Sequence, residues 1–511
     1  MIESVDGLRA LVDQAESAGT AEARWRAVAA VSPKLVEDLL HGSVNVSANE
    51  AVQIATGVAA SPGVASGRLC LDVNDVLDAT DAGSESILVC IETSPADEAG
   101  MRLAAGIVTA RGGIASHAAV VARGWGIPAV VGVEGLEVAE NHAVVDGRRL
   151  ERGDEVCLDG GTGFVYAGAL TTATQDDVAE LETLLAWADE VRGERVGVWA
   201  NADRADDAAE ARRFGAEGVG LCRTEHLFFG EHLPLIRRYL LSEDCDDESA
   251  ALDDLEKVQR VDLTEVFRVM APLPVTVRLL DAPLHEFLGD GVSAEWREHN
   301  PMLGTRGVRL AVIREGLYRM QVRAIMGAIA DGEAKGIHPS VRVMVPLVAT
   351  SAEMALVGGW VRDEIGKSAA DILPVGMMVE TPRAALLAGD MAHHADFFSF
   401  GTNDLTQMVY GLSRDDFGRR LMGEYFGRGL LTEDPFAHLD SQAVAPLVAA
   451  ATRAGRMTQP GLEVSVCGEH GGDPASIQLL VDAGVDHVSC SPYRVPVARL
   501  SVAQALIGLD G

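Results

Sequence analysis

The sequence has 511 residues, which is enough for two to four domains of ordinary size. Hydrophobic residues make up 48% and charged residues 23%, a composition typical of well-packed globular proteins. A net charge of −34 repels phosphodiester backbones and anionic membranes, so we expect neither a nucleic acid nor a membrane as a partner. Seven scattered cysteines without a CxxC pair argue against a disulfide framework or a zinc ribbon and favour the cytoplasm.

In chain order, the first predicted segment is helical and covers residues 1–50. It begins as a charged amphipathic helix rather than a signal peptide, and it is too short for a nucleotide-binding domain. The second segment, residues 51–170, has short β-type runs separated by Gly, Pro and Asp turns, and one helix from about His117 to Arg123. It is predicted to be a compact α/β domain with much sheet. The acidic residues 171–194 are predicted to be a helical linker.

The third segment, residues 195–511, contains eight short apolar runs separated by long helical patterns. Such runs are typical of a (β/α)₈ barrel, whose strands are buried on both faces. The predicted strands are RVGVWA (195–200), GVGL (218–221), VTVRLL (275–280), VRVMVPL (341–347), LPVGMMV (373–379), FFSF (397–400), VSVC (464–467) and HVSC (487–490). The long connections 222–274 and 281–340 predict inserted helices and lids. The predicted fold class is therefore α/β, with a C-terminal TIM barrel.

Charged side chains follow several of these strands at their carboxyl ends, where the active sites of such barrels lie. Four arginines offer planar donors for phosphate and carboxylate, namely Arg223, Arg278, Arg306 and Arg414. Glu380 and Asp404 are predicted to lie on adjacent strands. Mg²⁺ takes one or two carboxylates and fills its other positions with water and substrate oxygens, so these two residues predict a magnesium site.

Two further features of this rim could act on an anionic substrate. The Gly401–Asn403 turn offers backbone N–H groups at a helix start to a carboxylate, and the Cys467 thiol could protonate an enolate carbon. Each candidate has an ordinary alternative: a solvated Glu380, a core thiol at Cys467 and a surface ion pair at Arg414. Only their coincidence at one rim favours the functional interpretation.

The second segment carries a separate signal, GIVTARGGIASHAAVVARGWGIPAVVGV, at residues 106–133. His117 follows the flexible pair Gly112–Gly113 and begins an apolar helical run. Free N–H groups and the dipole at a helix N-terminus stabilise a phosphoryl group on an imidazole. The alternative is a helix-start histidine that makes an ordinary hydrogen bond.

The run RGGIASHAAVVARGWGIPAVVG resembles the phosphohistidine motif of the phosphoenolpyruvate-utilising enzymes. Within that family the barrel resembles pyruvate, phosphate dikinases more than enzyme I of the sugar phosphotransferase system or phosphoenolpyruvate synthase. The matching segments are GAEGVGLCRTEHLFF, VRLLDAPLHEFL, NPMLGTRGVRL, FFSFGTNDLTQ, VCGEHGGDP and VSCSPYRVPVARLSVAQA. The resemblance runs from about Trp25 to near the C-terminus. It implies a swivelling domain with a phosphohistidine, a phosphoenolpyruvate/pyruvate barrel, and a homodimer formed through the barrel.

By matching motifs, the resemblance also implies a role for each candidate residue. His117 carries the phosphoryl group, and Cys467 gives a proton to the enolate. The implied phosphate-binding residues are Arg223, Arg278 and Arg306, helped by Arg414; the implied Mg²⁺ ligands are Glu380 and Asp404; the implied substrate contacts are Gly401, Thr402 and Asn403.

The sequence departs from the dikinases at two points. They begin with an ATP-grasp domain that charges the histidine from ATP and phosphate, and this sequence starts after the point where that domain would end. We therefore expect a separate ATP-grasp protein or another phosphoryl acceptor as the second partner. Ala115 replaces a threonine that is a regulatory phosphorylation target in plant members, which excludes hydroxyl-based control at that position.

The expected function is phosphoryl transfer between phosphoenolpyruvate or pyruvate and His117. The alternatives are a phosphoenolpyruvate-dependent kinase for a small-molecule acceptor, a non-catalytic sensor of phosphoenolpyruvate, and a barrel lyase or mutase. A sensor needs neither the nucleophile His117 nor the acid Cys467. A lyase or mutase leaves residues 56–168 unexplained.

Overall fold

The chain divides into two compact units in the computed structural model. The first unit comprises Met1–Val191, Leu412–Ala437 and Arg499–Gly511, and the second comprises Arg192–Gly411 and His438–Ala498. The structure describes residues 1–41, 43–44, 52–94, 97–113, 116–139, 141–145, 147–168, 172–173, 179–228, 232–242, 244–288, 298–366 and 373–510. None of the helices in these ranges is long and apolar enough to cross a membrane.

The first unit begins with three helices, α1 (Val5–Ala18), α2 (Ala21–Ala30) and α3 (Pro33–His41). Side-chain caps start the first two of them, because the Ser4 and Thr20 hydroxyls accept backbone N–H groups in the first turn. Gly19, with a φ of 62°, ends α1 in the left-handed conformation that glycine adopts without strain.

The first unit continues with a mixed eight-stranded sheet in the order β2-β12-β11-β4-β5-β6-β7-β3. The elements of this part of the first unit are β1 (Ser43–Val44), β2 (Val52–Thr56), β3 (Val58–Ser61), β4 (Val64–Cys70), α4 (Val73–Asp81), β5 (Ser86–Cys90), α5 (Glu98–Leu103), β6 (Gly106–Thr109), α6 (His117–Trp125), β7 (Ala129–Val131), β8 (Leu136–Val138), β9 (His142–Val145), β10 (Arg148–Glu151), β11 (Glu155–Asp159) and β12 (Phe164–Ala167). Strands β8, β9 and β10 form a separate antiparallel sheet in the order β10-β9-β8. Helices α4, α5 and α6 bury Val76, Met101 and Ala119 in one apolar cluster with strand residues such as Ile107. This packing fixes the start of α6, where His117 lies.

The residues between the sheet and the second unit are only partly helical. Strand β13 (Thr172–Ala173) pairs antiparallel with β1, and helix α7 (Ala179–Arg192) begins six residues after that strand. Threonine is enriched in strands, which explains the short ladder ahead of the predicted helix.

The second unit is built around a closed barrel of eight parallel strands, which confirms the predicted fold class. The strands are β14 (Gly197–Asn201), β15 (Val219–Arg223), β16 (Pro274–Arg278), β17 (Ser340–Val345), β18 (Val375–Val379), β19 (Phe397–Phe400), β20 (Glu463–Val466) and β21 (His487–Cys490). Their bounds differ from the predicted ones by no more than two residues. All residues of β18 and β19 are buried, as continuous apolar strands require.

Helices separate the barrel strands, and the two long connections contain the inserted helices α9 to α13. In chain order the helices are α8 (Ala205–Arg213), α9 (Leu233–Leu241), α10 (Cys245–Met270), α11 (Leu284–Leu288), α12 (Gly307–Ile313), α13 (Glu315–Glu333), α14 (Ser351–Gly366), α15 (Pro382–Leu386), α16 (Ala388–Met391), α17 (Thr402–Tyr410), α18 (Arg414–Asp416), α19 (Met422–Gly427), α20 (Val444–Thr458), α21 (Pro474–Asp482) and α22 (Val495–Asp510).

Candidate active site

The carboxyl end of the barrel brings together most of the predicted site residues. Arg223 and Arg278 are the last residues of β15 and β16, and Glu380, Gly401 and Cys467 directly follow β18, β19 and β20. Parallel strands of a closed barrel end at the same rim, which is where barrel enzymes place their chemistry.

Arg223 is held by a carboxylate from the neighbouring strand connection. Asp203 accepts the Arg223 backbone N–H at 2.6 Å and its guanidinium at 3.2 Å. His226 Nδ1 lies 2.8 Å from the same carboxylate. Although burial opposes ionisation, these two partners lower the pKa of Asp203 below its usual range. The carboxylate therefore stays charged and orients Arg223.

Arg278 lies at the centre of a buried charge cluster. Its guanidinium donates to Glu225 and lies 3.4 Å from Asp281. Arg278 is 7% exposed, and its Nε makes no hydrogen bond within the described parts of the chain. A buried guanidinium with an N–H unused by protein groups is suited to an anionic ligand.

Arg306 connects two carboxylates across the barrel mouth. Its Nε and one terminal nitrogen donate to both oxygens of Asp281, at 2.9 and 2.7 Å. The guanidinium also donates to Asp404 at 3.3 and 3.4 Å. Although burial opposes ionisation, both carboxylates raise the pKa of Arg306 above its usual range. They also hold its planar guanidinium at the rim.

Glu380 is almost completely buried beside this cluster. Burial raises the pKa of Glu380 above its usual range, and the carboxylates of Asp281 and Asp404 raise it further, against the opposing effect of the two nearest arginines. Its Oε1 accepts the Leu347 backbone N–H at 2.6 Å. A cation beside Glu380 would relieve this concentration of negative charge.

The Glu380–Asp404 pair fits a magnesium ion by the chemistry of its donors. Magnesium binds hard oxygens and needs only one or two protein carboxylates. Across the described ranges, no group of three or more His, Cys, Asp or Glu side chains forms a ready metal cage. The two carboxylates are close enough for Asp404 to raise the pKa of Glu380.

The turn that follows β19 is fixed by the neighbouring β20 loop. Thr402 Oγ1 lies 2.8 Å from His470 Nδ1, and Asn403 Oδ1 accepts the Glu469 N–H at 3.1 Å. A Cβ on Gly401 would lie 2.6 Å from Glu380 Oε2, so this position requires glycine. The arrangement leaves the first turn of α17 next to the two carboxylates.

Cys467 lies just beyond β20 as a buried thiol. Burial raises the pKa of the Cys467 thiol to about 11, although the Ser399 hydroxyl donates to its Sγ at 3.2 Å and opposes the shift. The Cys467 carbonyl accepts a hydrogen bond from Asn201 at 3.1 Å. The thiol therefore keeps its proton at neutral pH and can act as an acid.

His117 is the first residue of α6 in the first unit. The Ser116 hydroxyl caps this helix, since it accepts the Ala119 N–H. The imidazole lies 3.0 Å from Thr93 Oγ1 through Nδ1 and 3.5 Å from Glu98 through Nε2. Its side chain is 23% exposed, but Nε2 itself is buried and makes no hydrogen bond with the described residues.

Arg414 belongs to the first unit and begins α18, whereas the other candidate arginines belong to the second unit. The Ser413 hydroxyl caps this short helix by accepting the Asp416 N–H. A role for Arg414 beside Arg223, Arg278 and Arg306 therefore stays a prediction.

The sequence-based site did not include the residues that orient its arginines. Asp203 and Asp281 each come a few residues after a strand end, and this position is a signal that sequence reasoning could have used. Glu225 follows Arg223 by two residues, yet it pairs with Arg278. The contact of Leu347 with Glu380 has no local sequence signal.

Two family models match the chain. The model described as "PEP-utilising enzyme, PEP-binding domain" matches residues 175–507, and "PEP-utilising enzyme, mobile domain" matches residues 83–163. Among solved structures, a malate synthase from Haloferax volcanii is 11% identical and covers 60% of this chain and 68% of that one. Its TM-score of 0.35 is too low to carry an argument.

Several curated relatives are pyruvate, phosphate dikinases. "Pyruvate, phosphate dikinase 1, chloroplastic" from Arabidopsis thaliana is 42% identical, over 94% of this chain and 53% of its own length. The chloroplastic enzyme of Flaveria pringlei is 44% identical over the same shares, and "Pyruvate, phosphate dikinase 2" of Zea mays is 42% identical over 95% and 58%. The chain spans about half the length of these relatives. With most of its length matched by the PEP-binding model, the chain belongs to the family of PEP-utilising enzymes.

Proposed function

We propose that this chain transfers a phosphoryl group between phosphoenolpyruvate and the imidazole of His117. The observation that carries the proposal is the convergence at one barrel rim of three guanidiniums, each held by a carboxylate, with the neighbouring Glu380–Asp404 pair. In a protein whose net charge is −34, Arg223, Arg278 and Arg306 supply oriented N–H donors, and an anionic substrate needs such donors.

The phosphate of phosphoenolpyruvate would contact the three rim arginines, each already oriented by a carboxylate. The substrate carboxylate would accept N–H groups at the start of α17, near Thr402 and Asn403. Bound Mg²⁺, held by Glu380 and Asp404, would supply positive charge to the phosphate and enolate oxygens. Because these groups are oriented before the reaction begins, the activation free energy of the transfer is lower.

The transfer itself requires His117 to reach this rim. The imidazole nitrogen attacks phosphorus, so an N–P bond forms while the P–O bond to the enolate breaks and its electron pair stays on the enolate oxygen. Cys467 then gives its thiol proton to the enolate carbon, which yields pyruvate. The raised pKa of Cys467 favours this role, because the thiol remains protonated at neutral pH.

The remaining parts of the proposal concern partners and location. A separate ATP-grasp protein or another phosphoryl acceptor would exchange the phosphoryl group with His117. We also propose a homodimer formed through the barrel, by resemblance to the family. A cytoplasmic location is supported by the seven cysteines, none of which is in a disulfide in the described parts of the chain.

Isotope exchange tests the half-reaction directly. Native protein, Mg²⁺ and phosphoenolpyruvate are mixed with labelled pyruvate, and label should enter phosphoenolpyruvate. Cys467→Ala should lower the exchange rate at least about 100-fold, because general acid–base catalysis contributes about 10²- to 10⁴-fold. The phosphohistidine should still form slowly in this variant, as judged by intact mass under alkaline conditions.

Cys157→Ala is the matched control, since this buried thiol lies on β11 in the sheet of the first unit. It should exchange label at the native rate. Absence of exchange in folded native protein would refute the proposed function. A Cys467→Ala variant with native exchange would refute the role of the thiol alone.

A further inference from the structure

Two side chains flank the His117 ring, one at each nitrogen. Thr93, in the segment after β5, places its hydroxyl oxygen 3.0 Å from Nδ1. Glu98, the first residue of α5, places a carboxylate oxygen 3.5 Å from Nε2. Nε2 makes no hydrogen bond with the described residues, so its contact with Glu98 is electrostatic.

These contacts distinguish the two nitrogens. A hydroxyl can donate or accept, so Thr93 is compatible with a proton on either ring nitrogen. The negative charge of an ionised carboxylate attracts an N–H dipole, so Glu98 electrostatically favours the neutral tautomer that carries its proton on Nε2. Because Nδ1 is engaged by Thr93, Nε2, which is buried in this conformation, is the nitrogen left to attack phosphorus. Attack needs a lone pair at Nε2, and the tautomer that Glu98 favours lacks it.

Glu98 also acts on the phosphorylated ring. A phosphoryl group on Nε2 brings negative charge next to the carboxylate, and like charges repel. Glu98 is about half exposed but His117 Nε2 is buried, so a water-like dielectric gives the smallest effect to expect. Two unit charges about 4 Å apart in water then interact by an amount that changes an equilibrium constant about fivefold.

We propose that Glu98 is a positioning residue that opposes phosphorylation of His117 and favours release of the phosphoryl group to an acceptor. The inference rests on the proposed function, since it concerns the same histidine. Glu98 orients the unmodified ring and disfavours its nucleophilic tautomer. After transfer, it raises the tendency of the phosphoryl group to leave.

The equilibrium between protein with unmodified His117 and protein with phosphorylated His117 provides the first test. Glu98→Gln, native protein and Glu137→Gln are each incubated with Mg²⁺ and fixed ratios of phosphoenolpyruvate to pyruvate. Intact mass under alkaline conditions gives the phosphorylated fraction. We expect Glu98→Gln to shift the equilibrium constant about fivefold towards phosphohistidine, because the repelling charge is gone. Glu137, an exposed acid on β8, serves as the charge-matched control and should leave the constant unchanged.

An unchanged constant in Glu98→Gln, or a shift towards unmodified histidine, would overturn the inference. So would an equal shift in Glu137→Gln, since the effect would then belong to net charge. Glu98→Ala provides a second variant without an amide and should shift the constant in the same direction.

Nuclear magnetic resonance of the imidazole tests the same inference without phosphoenolpyruvate. Nitrogen-15 shifts of His117, assigned by comparison with His117→Asn, report which ring nitrogen carries the proton. Native protein should show the proton on Nε2, and Glu98→Gln should move the population towards Nδ1. A native ring already protonated on Nδ1, or an unchanged ring in the variant, would overturn the inference. Failure of native protein to accept a phosphoryl group would instead refute the proposed function, and the tautomer result would still stand.

Discussion

Leu347 adopts a left-handed backbone conformation, with a φ of 55°, although its side chain is fully buried. This conformation costs a non-glycine residue about 1 to 2 kcal/mol. In return it directs the Leu347 N–H to Glu380 Oε1 at 2.6 Å, a hydrogen bond that stabilises a buried carboxyl group. Gly307 has a similar φ of 55°, and a Cβ there would lie 2.7 Å from Asp281 Oδ1. Backbone geometry thus keeps both carboxylates in place.

Substitution at Leu347 should reverse the usual order of glycine and alanine. Leu347→Gly and Leu347→Ala both lose the buried side chain, but only glycine tolerates a positive φ without strain. We expect the glycine variant to be more stable than the alanine variant by about 1 kcal/mol. Urea unfolding of both proteins measures the difference. An alanine variant of equal or greater stability would contradict the strained conformation.

The strands of the barrel also meet at its amino end, where a set of polar and aromatic side chains packs together. His487, the first residue of β21, stacks on Trp199 of β14 with ring centroids 4.0 Å apart. Its Nδ1 lies 3.4 Å from Glu463 of β20, and Arg342 of β17 donates to both oxygens of Glu463, at 2.5 and 2.7 Å. Features at this end of a barrel contribute stability rather than chemistry.

This packing predicts a pH-dependent stability. The pKa of His487 is lowered to about 4, because burial, helped by Arg342, outweighs the opposing effect of Glu463. Between pH 6.5 and 4 the unfolded chain binds a proton that the folded chain does not, so stability falls as pH falls. The loss should approach about 3 kcal/mol by pH 4.

The variant His487→Phe keeps an aromatic ring on Trp199 but cannot titrate. Its stability should therefore decline less than that of native protein between pH 6.5 and 4. Urea unfolding at several pH values measures both curves, and their difference removes the contribution of every other titrating group. Parallel curves for the two proteins would rule out this role for His487.

Across the whole molecule, the proposed chemistry is divided between the two units. The nucleophile His117 belongs to the first unit, and the anion-binding rim belongs to the second. In the proposed function the rim arginines bind the anion and His117 carries the phosphoryl group, so these two activities depend on different residues.

His117→Asn should separate these two activities. The variant should form no phosphohistidine and exchange no label. It should still bind phosphoenolpyruvate in the presence of Mg²⁺ within about twofold of the native affinity, measured by calorimetry, because the rim arginines are unchanged. Arg278→Lys is the contrasting variant and should bind much more weakly, since lysine cannot make bidentate contacts. Native exchange in His117→Asn would exclude the histidine as carrier.

The barrel, its eight strands and the residues that end them could be predicted from the sequence alone. Continuous apolar runs and the residues at their ends are local features. The positions of Arg223, Arg278, Glu380 and Cys467 at one rim could therefore be predicted from the sequence. The start of α6 at His117 could be predicted for the same reason, because a glycine pair precedes it and an apolar helical run follows it.

The pairing of the charged side chains, by contrast, could not be predicted before the fold was known. Arg306 meets Asp281 from 25 residues away and Asp404 from 98, and Arg278 meets Glu225 from 53. The approach of Glu98 to His117 and the left-handed backbone of Leu347 likewise arise from the packing of separate elements. Such contacts depend on which strands are neighbours and on side-chain direction, and neither is a property of a short stretch of sequence.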